Sequence, residues 1–103
     1  TVPPSSSGPS AADQLERWLA QVNDETTTPA AMNRIIGEVE TLRPSLRGLQ
    51  LADSWWIEFV ARSSKGDRGA CAAAAAVVKL HTDPRKTSVA DGFVKDTDNG
   101  CPR

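Results

Sequence analysis

Of 103 residues, 39% are hydrophobic and 24% charged, proportions that argue against wholesale disorder and against a membrane protein. Twelve basic and thirteen acidic side chains leave a formal charge of −1, so no global field points to nucleic acid or to an anionic membrane. The longest uncharged apolar run, residues 70–78, falls well short of the ~20 residues that span a bilayer, and a chain this short is expected to form a single domain.

Residues 1–10 hold three prolines, four serines and a glycine, a composition that buries no apolar surface and predicts a flexible spacer ahead of a helical domain over 11–103. No charged segment followed by an apolar core opens the sequence, as expected of a mature or trimmed chain, or of one cytosolic from the outset. In the first helix, over residues 11–23, Ser10 and Asp13 form a capping-box-like start. Leu15, Trp18, Leu19 and Val22 recur there at helical spacing. Thr28 then caps a second helix over 29–42, with Pro29 in the first turn, where its missing N–H costs nothing. Met32, Ile35, Ile36, Val39 and Leu42 make its apolar stripe.

Pro44 ends the second helix and opens a third, with Ser45 as a competing cap, running to about residue 63. Leu46, Leu49, Ala52, Trp56, Ile57, Phe59 and Val60 fall on one broad arc, with Leu51 and Trp55 toward the opposite side. Asp67 caps a fourth helix that runs through five consecutive alanines, Ala72 to Ala76, to His81. Its small side chains let a neighbouring helix approach closely, with Ala73, Ala74, Val77 and Leu80 facing inward. Residues 81–86 read as a loop, and Ser88 with Asp91 as the capping box of a short fifth helix over 88–95. The expected fold is all-α, a four- or five-helix bundle.

Cys71 and Cys101 are the only thiols and His81 the only imidazole. A soft-ligand zinc site cannot be assembled from these within one chain. A single disulfide between Cys71 and Cys101 would pin the tail behind the fifth helix, and it implies an oxidising compartment, secreted or facing the cell envelope. No metal and no cofactor is called for.

Adjacent helical residues lie about 100° apart, so Trp55 and Trp56 cannot both occupy the centre of one buried stripe. Either the third helix touches neighbours on two sides, or Trp55 with Leu51 and Arg62 forms a binding patch for a protein partner or apolar ligand. Among the carboxylates, Glu58, set among the tryptophans, has the most apolar sequence surroundings. Residues 60–103 carry eight basic and five acidic side chains against four and eight before them. That asymmetry raises an alternative, a nucleic-acid-binding module using Arg62, Lys65, Arg68, Lys79, Arg85 and Lys86. The tract 65–68 reads as turn punctuation, and His81 as a capping or partly buried side chain. No nucleophile–base pair, paired carboxylates or phosphate loop stands out, so no catalytic residue is assigned.

Overall fold

The structure, a computed structural model, describes residues 10–101. Apart from Ser10, the spacer read at residues 1–10 lies outside the described residues. Five helices follow in chain order: α1 (Ala11–Val22), α2 (Pro29–Leu42), α3 (Gly48–Lys65), α4 (Gly69–Leu80) and α5 (Pro84–Lys95). No strand occurs among the described residues. The all-α expectation holds, and Cys71 is bonded to Cys101 with Cα atoms 5.4 Å apart, within the usual span of native bridges.

The first two helices start where the sequence places them. Ser10 Oγ accepts the Asp13 N–H at 3.2 Å and Thr28 Oγ1 the Ala31 N–H at 3.2 Å, each satisfying one of the amides left unpaired at a helix start. Between them the chain reverses through a turn in which Asp24 Oδ1 accepts the Thr26 N–H at 2.9 Å and the Thr26 hydroxyl at 2.7 Å. Those two donors hold the Asp24 carboxyl below its ordinary pKa.

Two helix starts differ from the expectation. Residues Arg43–Ser45 form a 3-10 turn that tightens the end of α2, and α3 begins only at Gly48. Leu46, extended between the two helices, is buried at 2% exposure. Burying that side chain beneath α2 takes it out of the helical arc, and Gly48, at φ +57°, makes the bend into α3. Leu49, expected on the core arc, is consequently 55% exposed. The other shift is in α5, which starts at Pro84 rather than Ser88. Asp83 Oδ1 accepts the Arg85 N–H at 2.9 Å, and Pro84 fills the first turn, the arrangement that Thr28 and Pro29 give α2. Leu80, expected to face inward, ends α4 at 41% exposure.

α3 ends in a Schellman turn: Gly66, at φ +72°, donates to Ser63 O, and the Asp67 N–H donates to Arg62 O at 2.9 Å. The helix is the spine of the molecule and packs against α1, α2 and α4, while α5 lies on α4. One core cluster joins α1, α2 and the α3 residues Ile57 and Ala61 around Trp18, Ile35 and Val39. A second gathers Phe59, Ala70, Ala73, Ala74, Val77 and Ala90. Val60 packs against both clusters.

Candidate functional site

Leu51, Trp55, Glu58 and Arg62 follow one another along α3 at helical spacing, so they share one side of it. Leu51 is half-buried against the first core cluster, and Trp55 is half-buried against the second. The Arg43 guanidinium lies 3.6 Å from the centre of the Trp55 ring, a cation–π contact. The same guanidinium donates to Ser54 Oγ at 3.1 Å and to Glu58 Oε1 at 2.6 Å.

Glu58 is the hinge of this network. Its side chain is 7% exposed, and its second oxygen accepts from Arg62 Nε at 2.9 Å. The surroundings that looked apolar in the sequence are two guanidiniums, because Arg43 arrives from the α2–α3 connection, fifteen residues earlier. Arg62 goes on to donate to Asp67 Oδ2 at 2.8 Å and lies 3.5 Å from Glu40 Oε1. Burial works against its charge, but Glu58 and Asp67 outweigh that, and the Arg62 pKa is raised. Asp67 also accepts the Gly69 N–H at 2.7 Å, but from one residue before the expected cap: Arg68 holds the N-cap position of α4, without a side-chain bond. The Gly69 bond first, against a smaller burial effect, and then Arg62 and Lys65, hold the Asp67 carboxyl below the ordinary value. The tract 65–68 is therefore turn punctuation tied into an ion network. A Cβ at Gly69 would fall 2.7 Å from Arg62 Nη1, so the bare glycine is what lets Arg62 lie across the start of α4.

The predicted trio is thus brought onto one edge. Trp55 and Arg62 are linked through Arg43 and Glu58, and Leu51 sits one turn before Trp55. Of the six cations in the nucleic-acid alternative, Arg62, Lys65 and Lys86 are each engaged with carboxylates. Arg68, Lys79 and Arg85 are exposed.

A second constellation has no counterpart in the sequence reading. His81, with 3% of its side chain exposed, pairs through Nε2 with Asp53 Oδ1 at 2.7 Å. Its Nδ1 accepts the Asp83 N–H at 3.0 Å. An accepting Nδ1 leaves the ring hydrogen on Nε2, so both nitrogens are used. The imidazole fastens the α4–α5 connection to α3 and has no free nitrogen to act as a base. Lys86 Nζ lies 3.8 Å from the same Asp53 oxygen and 5.7 Å from the centre of the Trp56 ring. Asp53 and His81 stand 28 residues apart, without a motif to announce the pairing.

Asp53 and Trp56 also line a groove between α1 and α3, a cavity of about 160 Å³ walled by Leu15, Leu19 and Ile57, with Glu16 and Gln50 among its polar lining. Among the described residues no cluster of histidine, cysteine and carboxylate side chains is arranged to hold a metal ion, and no helix is long and apolar enough to cross a membrane. Neither a protein-family model nor a curated protein nor a solved structure matches this chain at a significant level.

Proposed function

We propose that this protein is a small binding module of an oxidising compartment, secreted or facing the cell envelope, that engages a protein partner or apolar ligand along the Leu51–Trp55–Arg62 edge of α3. The observation that carries the reading is Trp55. It is a large aromatic on the most central helix that is left half-buried, with Arg43 stacked on its ring and Arg62 two turns away. Aromatic and arginine side chains held in fixed geometry are the usual anchors of recognition surfaces, because little rotamer freedom remains to be lost on binding. The Cys71–Cys101 bond supports the compartment, since such bonds persist where thiols are not kept reduced.

The test begins with peptides selected from a random library against the oxidised protein and titrated into the 15N-labelled chain. Amide shifts are expected along residues 51–62. Trp55→Ala is expected to weaken binding tenfold or more, about 1.4 kcal/mol, with helical circular dichroism unchanged. Peptides that map elsewhere, or that bind the variant equally well, refute the assignment. For the compartment, a Cys71–Cys101 bond found fully reduced in the native host's own cells would refute it.

A further inference from the structure

The groove between α1 and α3 lies on the Trp56 side of α3, away from the Trp55 edge, and its chemistry is independent of the reading above. Its walls are aliphatic and aromatic: Leu15, Leu19, Ile57 and Trp56. Its charged lining is entirely acidic, Glu16 and Asp53. Glu16 is exposed, with no ionic partner among the described residues. Asp53 meets His81 and Lys86 through Oδ1, and no donor among the described residues meets Oδ2.

From this arrangement we infer that the groove binds an organic cation on an apolar stem, a guanidinium or alkylammonium group. An anion would meet two carboxylates. A neutral apolar ligand would strip water from them without replacing their hydrogen bonds, which is costly. A cation on a short hydrocarbon stem satisfies both, placing its stem against Leu15, Leu19 and Ile57 and its head between the carboxylates beside the indole. Lys86 already pairs with Asp53 through Oδ1, reaching it from α5 beside the Trp56 ring, so the ligand's head is left Oδ2 and Glu16 to meet. His81 adds preorganisation, because its buried Nε2–H fixes the Asp53 carboxylate from behind. The size is equally restrictive. A cavity of about 160 Å³ falls below the ~300 Å³ of sites for drug-sized molecules. One group as large as a basic amino-acid side chain fills it.

The test titrates n-butylguanidinium, n-butanol and butyrate into the 15N-labelled protein at low and high salt. Saturable shifts are expected for n-butylguanidinium alone, at the Trp56 indole N–H and the amides of residues 15–19, weakening at high salt. Glu16→Gln changes an exposed side chain and leaves the fold alone, so it is expected to weaken binding at least threefold. Trp55→Ala is expected to leave it unchanged, which separates this site from the α3 edge. Butanol binding as tightly as the guanidinium, shifts outside the groove, or indifference to Glu16→Gln would each overturn the assignment. A capped Ala-Arg-Ala peptide distinguishes the source: tighter binding than n-butylguanidinium assigns the groove to a partner's side chain, and equal binding to a free small amine.

Discussion

The two halves of this molecule hold their helices together by different means. On one side of α3, α1 and α2 interdigitate large side chains, with Leu15, Trp18, Met32, Ile35 and Val39 meeting Ile57, and no covalent link ties them. On the other side, α4 meets α3 and α5 through Ala70, Ala73, Ala74 and Ala90, all fully buried. Alanines bury little apolar area each, but they let helices pack closely. That half carries the extra fastenings: the Cys71–Cys101 bond, the Arg62–Asp67 pair across the α3–α4 turn and the His81–Asp53 clasp. Where α4 brings little side-chain volume, covalent and ionic contacts, together with Phe59 packed on Trp56 and Phe93, stand in for it.

The comparison breaks most sharply at Ile35, 1% exposed in the large-side-chain half. Ile35→Ala should cost about 2–5 kcal/mol through lost burial and the cavity left behind, read as a lower midpoint in urea at unchanged slope. Next in size is the disulfide. Replacing both cysteines by serine releases a loop with a sequence separation of 30, worth roughly 3–4 kcal/mol in the chain-entropy model. Hydrogen exchange sharpens the contrast, since the serine variant should lose protection first in α4 and α5 while α1 and α2 keep theirs. Uniform loss across all five helices would mean that the halves are not held separately.

The large-side-chain half was also the more legible one. The stripes of α1 and α2, with their Ser10 and Thr28 caps, sufficed because periodicity and capping are local. The start of α3 was not, since Leu46 leaves the helical arc to fill space beneath α2, a choice made by tertiary packing. The start of α5 was legible in principle: Asp83-Pro84 carries the signature that marks Thr28-Pro29, and the competing Ser88–Asp91 box obscured it. At the α3 edge, spacing alone placed Leu51, Trp55 and Arg62 together. The partners that define them, Arg43 on Trp55 and the two arginines on Glu58, come from other elements. The His81–Asp53 clasp was invisible for the same reason, because sequence separation carries no information about which side chains a bundle brings face to face.

A smaller effect tests the close approach itself. Ala73 is fully buried on α4, and Ala73→Val adds two methyl groups inside the alanine-lined core cluster, at an expected cost of about 1–3 kcal/mol. A β-branched residue also lowers helix propensity by only a few tenths of a kcal/mol, so a larger loss reports crowding. Ala72→Val, on the exposed face of the same helix, supplies the control. Equal losses at both positions would remove the packing argument for the alanine half.

The weakest fastening is the ion pair at Asp67, and its pH dependence has a definite sign. The folded carboxyl titrates below its ordinary value because the Gly69 N–H, and then Arg62 and Lys65, favour the charged form over the opposing effect of burial. A depressed folded value stabilises the native state above the unfolded value near 3.9, and that contribution is lost as pH falls through the folded value. Asp67→Asn keeps an oxygen to accept the Gly69 N–H but removes the charge facing Arg62. At pH 7 the wild type should therefore melt higher than the variant, by about 8 °C or less, given at most ~1 kcal/mol for a pair of this exposure and ~4–8 °C per kcal/mol at this size. The gap should narrow as pH is lowered from 5 to 2, and added salt should narrow it at pH 7. A gap that widens on acidification would mean that the Arg62–Asp67 pair does not fasten the α3–α4 turn, leaving the alanine half to its packing and its disulfide.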